Sequence, residues 1–142
     1  MQGMSAATLF QPGSHGSTFG GNTLACAAAL ATLDIVESED LCRNATEVGE
    51  HIRTSLKRML AETPGVKEIR GQGLLIGIEL DRPCGELVKT ALNAGLLINV
   101  TADNVVRLVP PLILSRTEAD QLVSELAPMI RSFLMTSASA AA

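Results

Sequence analysis

The stretch Val66–Leu80, VKEIRGQGLLIGIEL, decides the fold class of this 142-residue chain. Its Leu-Leu-Ile-Gly-Ile core is too short and too rich in β-branched residues for a helix, so it predicts two strands, 66–70 and 74–80. The sequence Gly71-Gln72-Gly73 joins the two strands. Gly77 inside the second strand indicates a bulge or a close backbone contact. The chain therefore combines a β-sheet with helices.

Two helices are predicted before these strands. The first begins after Asn22, a favoured N-cap residue, and runs from Thr23 to about Val36. It is rich in Ala and apolar on nearly every side, which indicates close neighbours in several directions. The second covers about 41–63 with one apolar stripe at spacings of three and four, and Pro64-Gly65 ends it.

A third helix, a second strand pair and a fourth helix are predicted after the first strands. Gly95 closes the third helix, about 84–94, in a left-handed conformation. Strands 96–100 and 105–109 follow. The capping box Ser115-Arg116-Thr117-Glu118 opens the fourth helix, and Pro128 is predicted to kink or break it.

This order of elements is typical of a two-layer α+β domain in which helices cover a small sheet. We divide the chain into an N-terminal segment with a Gly-rich loop (1–22), a long interdomain helix (23–38), a small domain (39–135) and a disordered tail (136–142). The length suits one compact domain with a sizeable core.

The composition excludes several classes of function. A net charge of -4 and an aromatic content of 2% leave neither the basic patch nor the stacking platform of a nucleic-acid binder. Cys26, Cys42 and Cys84 form an odd set without metal-ligand spacing, so we interpret them as buried free thiols in a reducing cytoplasm. No apolar stretch reaches the roughly 20 residues that span a bilayer. We therefore expect no metal, no nucleic acid and no membrane partner.

The Gly-rich loop at Gly13–Asn22 is the most informative candidate site. Small residues and the hydroxyls of Ser14, Ser17 and Thr18 precede a helix N-terminus, an arrangement that binds anions such as phosphate. It matches neither a P-loop nor a dinucleotide-binding fingerprint. On the residues alone, a hinge loop and a phosphate-binding loop are equally good interpretations.

Three motifs occur in order along the chain. They are HGSTFGGNTLACAAALATLDIVE at His15–Glu37, IRGQGLLIGIEL at Ile69–Leu80 and GLLINVTADNVVRLVPPLILS at Gly95–Ser115. Together they resemble the C-terminal part of a class III (fold-type I) pyridoxal-phosphate aminotransferase, with the acetylornithine type as the nearest likeness. The succinylornithine, ornithine and γ-aminobutyrate types are the alternatives within the family.

The resemblance implies roles for three residues. Thr18 matches the threonine that binds the phosphate of pyridoxal phosphate in the neighbouring subunit of the family homodimer, and Ser17 lies beside it. Arg107 matches the small-domain arginine that receives a substrate carboxylate. A guanidinium forms bidentate hydrogen bonds with such a group. Without the resemblance, an outward-facing strand arginine paired to a local Glu or Asp is the simpler interpretation of Arg107.

The match also lacks parts of the family pattern. The lysine that holds the cofactor covalently, its partner aspartate and the stacking aromatic all precede the Gly-rich loop in the family. None of Lys57, Lys67 and Lys89 lies in a matching motif. We assign no catalytic residue, treat His15 as a loop residue and His51 as a solvent-facing helix residue, and expect the chain alone to be inactive. A separate large-domain chain would complete the enzyme; the alternative is a noncatalytic interaction or small-molecule-binding module derived from the family.

Overall fold

The computed structural model describes Ser14 and residues 16–139, with side chains up to Thr136. These residues divide into two units, the first ending at Ser38 and the second beginning at Glu39. The elements are α1 (Thr23–Ser38), α2 (Leu41–Leu60), β1 (Val66–Gln72), β2 (Leu75–Leu80), α3 (Glu86–Asn93), β3 (Asn99–Thr101), β4 (Val105–Leu108) and α4 (Arg116–Ser139). The predicted order and the α+β class are confirmed.

In the first unit, Asn22 caps α1 as predicted. Its Oδ1 accepts a hydrogen bond from the backbone N–H of Ala25 at 2.9 Å, and its carbonyl accepts one from Cys26 at 3.0 Å. The α1 helix buries none of its 16 residues within the described part of the chain. Leu24 and Leu30 are 80% and 62% exposed. The helix is thus well formed but contributes no core of its own.

The second unit is built on a four-stranded antiparallel sheet with the order β1-β2-β4-β3. Side chains alternate between its faces, and Ile76, Ile78 and Leu80 of β2 point to the buried face. Val106 and Leu108 of β4 join them in the core. The opposite face carries polar residues and is more open to solvent.

The helices of the second unit supply the rest of the core. Ile52 and Leu56 of α2 and Leu126 and Ile130 of α4 are fully buried and belong to the same apolar cluster as β2. Helix α2 also approaches the turn between β1 and β2 closely. A Cβ on Gly49 would lie 2.0 Å from the carbonyl oxygen of Gly73, so no larger residue fits there.

His51 connects α2 to α4 and is therefore not the solvent-facing residue that the sequence predicted. Its side chain is 19% exposed. Its Nε2 lies 2.6 Å from Oδ1 of Asp120, and its Nδ1 lies 3.2 Å from Nη2 of Arg116. Since Arg116 can only donate, Nδ1 accepts and the Nε2–H donates to Asp120. His15 lies outside the described residues.

Several local predictions are confirmed. Gly95 has a φ of 83° at the end of α3. Glu118 accepts hydrogen bonds from the backbone N–H and the hydroxyl of Ser115 at 2.8 and 2.6 Å, which completes the capping box. Gly77, in contrast, marks neither the predicted bulge nor a close backbone contact. The register shift falls between Val66 and Glu68, and the nearest atom to a Cβ on Gly77 would be the side-chain Cγ1 of Val105 at 3.3 Å.

Helix α4 is longer and more continuous than predicted. It continues through Pro128 without a break, because the fully buried Leu126, Ala127 and Ile130 hold it against the core on both sides of the proline. It also extends over 136–139, so the prediction of a disordered tail from 136 is wrong for these residues. Thr136 Oγ1 donates to the carbonyl of Ser132 at 2.8 Å, as in a regular helical turn. Residues 140–142 lie outside the described part.

The cysteine prediction is wrong for two of the three thiols. Cys26 and Cys42 are exposed, and only Cys84 is buried; all three are free. Each of the first two lies on a helix side that no described residue of its own unit covers. Burial raises the pKa of the Cys84 thiol. No helix among residues 16–139 is long and apolar enough to cross a membrane.

Candidate functional site

The first candidate site is the turn that leads into α1. A Cβ on Gly20 would lie 2.9 Å from Cβ and 3.0 Å from Oγ of Ser17, so the chain folds back on itself and a larger residue at position 20 would displace the Ser17 side chain. The side-chain amide of Asn22 donates to the carbonyl of Phe19 at 2.7 Å and fixes the end of the turn. The turn therefore has a defined shape.

This turn presents free hydroxyls beside a helix N-terminus. Ser17 and Thr18 are exposed, and neither hydroxyl has a hydrogen-bond partner among the described residues. No Asp or Glu occurs before Asp34. Free hydroxyl donors, the positive end of a helix dipole and the absence of nearby carboxylates all favour a phosphate group. The residues of this turn thus fit the phosphate end of pyridoxal phosphate.

The second candidate site lies on the open face of the sheet in the second unit. Arg107 of β4 pairs in register with Gly77 of β2 and with Asn99 of β3. Its neighbours Val106 and Leu108 point into the core, so Arg107 points away from it. Among the described residues no carboxylate pairs with Arg107. The local Glu or Asp partner of the simpler interpretation is therefore not found in the described part of the chain.

A second arginine shares this face. Arg70 of β1 pairs with Gly77 from the other side, so Arg70 and Arg107 flank the same glycine. Its Nη1 donates to Oε2 of Glu68 at 2.8 Å and to Oε2 of Glu79 at 2.7 Å. The hydrogen bonds that the Arg70 guanidinium donates to Glu79 and Glu68 raise its pKa. The Glu68–Arg70–Glu79 cluster thus has more negative than positive charge.

The two arginines line one shallow groove on the open face. Its walls include Leu75, Gly77, Thr101 and Val105. Sequence reasoning identified Arg107 but missed Arg70 and its glutamates. The alternation Glu68-x-Arg70 in one strand and Gly77-x-Glu79 in the next could have revealed the shared face, but only after their register was known.

The predicted site residues belong to both units of the chain. Ser17 and Thr18 lie next to each other in the first unit, and Arg107 lies in the second. The three lysines, Lys57 on α2, Lys67 on β1 and Lys89 on α3, are exposed, and none lines the groove beside Arg107. No cluster of metal-binding side chains occurs within the described part. The described side chains therefore suit anion binding.

Comparisons with known proteins agree with these features. The profile of the family described as aminotransferase class-III matches residues 3–130. Acetylornithine aminotransferase 1 of Bordetella pertussis is 61% identical over 129 residues, which cover 91% of this chain and 33% of that protein. Acetylornithine aminotransferase of Nitrosomonas europaea is 50% identical over 134 residues, 94% of this chain and 34% of that protein.

Solved structures of aminotransferases are also similar to this chain. Ornithine δ-aminotransferase of Plasmodium falciparum superposes with a TM-score of 0.81 at 32% identity, over 91% of this chain and 34% of that one. Acetylornithine aminotransferase of Elizabethkingia anophelis superposes with a TM-score of 0.76 at 36% identity, over 87% of this chain and 32% of that one. The chain thus spans about one third of the length of the relatives it matches. Enzymes of this family depend on pyridoxal phosphate.

Proposed function

Because the chain belongs to the class-III aminotransferases, we propose that it is the C-terminal part of an acetylornithine aminotransferase. The enzyme would transfer an amino group between N-acetylornithine and 2-oxoglutarate in the cytoplasm. The observation that carries this proposal is the 61% identity to a bacterial acetylornithine aminotransferase over nearly the whole chain. The resemblance of three ordered motifs to the same type of enzyme supports it.

In this enzyme Thr18 and Ser17 bind the phosphate of the cofactor. Their hydroxyls have no hydrogen-bond partner among the described residues, and Asn22 holds the end of the turn that carries them. Following the family pattern, the turn would reach the site of the neighbouring subunit in a homodimer. Pyridoxal phosphate supplies the electron-withdrawing ring of the reaction, and these residues only hold it.

Arg107 receives a substrate carboxylate. Its guanidinium lies in an open groove with no carboxylate partner in the described part of the chain. A guanidinium that meets a carboxylate forms two parallel hydrogen bonds, which orient the substrate as well as bind it. Thr18 and Arg107 therefore have different tasks, one toward the cofactor and one toward the substrate.

We propose a phosphate loop in 1–22, an interdomain helix in 23–38 and a small domain that begins at 39 and includes all of α4, which extends past the predicted boundary at 135. The phosphate loop and the small domain need the remainder of the enzyme, on the same or a separate chain, for activity. The alternative, a noncatalytic binding module, would use the Arg107 groove without any turnover.

The test is a chimera in which this chain replaces the corresponding third of the Bordetella pertussis enzyme. Thr18→Ala should weaken retention of pyridoxal phosphate by roughly 10-fold to 150-fold, since a hydrogen bond to a charged group is worth about 1.5–3 kcal/mol. Thr32→Ala is the matched control, because the Thr32 hydroxyl donates to the carbonyl of Ala28 within α1. Equal cofactor loss in both variants would contradict the role of Thr18.

The same chimera tests Arg107. Arg107→Ala should leave the cofactor bound and lower kcat/KM for the substrate, and Arg107→Lys should restore only part of it, since an ammonium lacks the planar fork. Arg43→Ala is the control, because Arg43 is exposed and pairs with Asp40 far from the sheet in sequence. If Arg107→Ala releases the cofactor at unchanged kcat/KM, the assignment is wrong.

A further inference from the structure

Glu79 occupies a symmetric position between the two arginines of the open face. It lies two residues along β2 from Gly77, and Gly77 pairs with Arg70 on one side and with Arg107 on the other. Glu79 is therefore the diagonal neighbour of both arginines, at a distance of about 7–8 Å that long side chains bridge. Either guanidinium is within reach of its carboxylate.

The structure shows which arginine Glu79 binds. Its Oε2 accepts a hydrogen bond from Arg70 at 2.7 Å, and Arg107 has no carboxylate partner in the described part of the chain. Glu68 explains this preference. It pairs directly with Glu79 across the two strands, and two carboxylates facing each other destabilise a sheet unless a cation lies between them. Arg70 supplies that cation and binds both.

The geometry points to Arg70 as a positioning residue that keeps Arg107 available for its carboxylate ligand by engaging Glu79. This inference rests on the proposed role of Arg107. Without the Arg70 guanidinium, Glu68 would repel Glu79, and the nearest cation on the same face would be Arg107. Glu79 would then occupy the guanidinium that the substrate carboxylate needs. Arg70 thus acts on the substrate site through Glu79.

The first experiment needs no ligand and uses the full 142-residue chain. The side-chain Nε–H signal of Arg107 is followed by NMR in Arg70→Gln, in Glu79→Gln and in the double variant Arg70→Gln/Glu79→Gln. We expect the Arg107 signal to move in Arg70→Gln and to return to its original position in the double variant. Arg43→Gln, which removes the same charge from a pair with Asp40, should leave it in place. An Arg107 signal that does not move in Arg70→Gln overturns the inference.

The second experiment measures binding with glutarate as the probe. In Arg70→Gln, the affinity of Arg107 for glutarate should fall about two- to five-fold, the range expected when an exposed ion pair competes for it. The double variant should bind glutarate at least as well as the unaltered chain, which a purely structural role of Arg70 would not produce. Failure of the double variant to recover contradicts the inference.

The two experiments separate this inference from the proposed function. If glutarate moves no Arg107 signal in the unaltered chain, the carboxylate-binding role of Arg107 is wrong. The ligand-free experiment still decides whether Arg70 keeps Glu79 away from Arg107. Backbone spectra of each variant verify that the sheet is intact, and Glu79→Gln, which removes one of two opposed carboxylates, provides a folded reference if Arg70→Gln alone is unstable.

Discussion

In the second unit Ile52, Leu56 and Ile78 are fully buried, whereas in the first unit Leu24, Leu30 and Leu33 are each more than half exposed. The sequences of the two helices already differ in this respect. Helix α2 has one apolar stripe, and α1 is apolar almost all round. A stripe needs one covering surface and an all-round apolar helix needs several. We interpret α2 as complete within its own unit and α1 as a helix whose neighbours belong to the rest of the proposed enzyme.

Because, among the described residues, only the second unit packs a core of its own, we predict that the 142-residue chain folds its small domain but has no activity. Mixed with pyridoxal phosphate, N-acetylornithine and 2-oxoglutarate, it should give no glutamate and no visible absorbance band from a lysine-bound cofactor, because no lysine in it matches the family motif. The chimera with the Bordetella pertussis enzyme serves as the positive control. Reproducible turnover by the pure chain would show that the site is complete without further residues.

Equal truncations in the two helices should have unequal effects on stability. Leu56→Ala removes a fully buried side chain and should lower the free energy of unfolding by about 2–5 kcal/mol. Leu30→Ala, the matched control on α1, removes a side chain that is 62% exposed and should change it by less than about 0.5 kcal/mol. Chemical denaturation measures both. Similar losses in the two variants would mean that α1 is packed as tightly as α2.

The exposed apolar residues of α1 should make the isolated chain self-associate. They form one continuous helical surface, and monomeric proteins rarely expose apolar patches beyond a few hundred Å2. Size-exclusion chromatography with light scattering should show a concentration-dependent mass, which the double variant Leu30→Glu/Leu33→Glu lowers toward the monomer. Val88→Glu/Leu92→Glu on α3 is the control, since these side chains are exposed on a short amphipathic helix. A sharp monomer for the unaltered chain at high concentration would refute this prediction.

Sequence patterns predicted those parts of the molecule whose physical causes are local. The caps at Asn22 and Ser115 and the left-handed Gly95 follow from hydrogen bonds and backbone angles within a few residues, and the structure confirms them. The order β1-β2-β4-β3 and the pairing of Arg70 with two glutamates depend on strand register, which no local pattern determines. Helix α4 continues through Pro128 because its packing against the core outweighs the local destabilisation of the helix by proline.

The same distinction applies to the candidate site. Ser17, Thr18 and Arg107 were predicted as site residues from motifs, and their roles stay predictions. The position of Glu79 between two arginines needed three strands in register. The contacts of His51 could not be predicted from local patterns either, because its partners Asp120 and Arg116 lie on a helix distant in sequence.

The smallest expected change in stability concerns the cap of α4. Removing this cap tests whether local interactions, as well as tertiary ones, stabilise the second unit. Hydrogen bonds from the hydroxyl and then the backbone N–H of Ser115 hold the pKa of Glu118 below its ordinary value. A carboxyl whose pKa is lowered by folding stabilises the folded state above its ordinary pKa and loses this contribution as the pH falls through the folded-state pKa. Ser115→Ala should therefore cost about 0.5–2 kcal/mol at neutral pH, the usual range for a lost N-cap.

The pH dependence separates the two parts of this cap. The Ser115 hydroxyl also accepts a hydrogen bond from the backbone N–H of Glu118 at 3.2 Å, which does not depend on the charge of the carboxylate. The difference in stability between Ser115→Ala and the unaltered chain should therefore shrink on acidification without vanishing. Ser124→Ala, in which the lost hydroxyl donates only to the carbonyl of Gln121, should show a difference that is constant with pH. If Ser115→Ala behaves like Ser124→Ala, the ionised Glu118 adds nothing to the cap and only the bond to the backbone stabilises the start of α4.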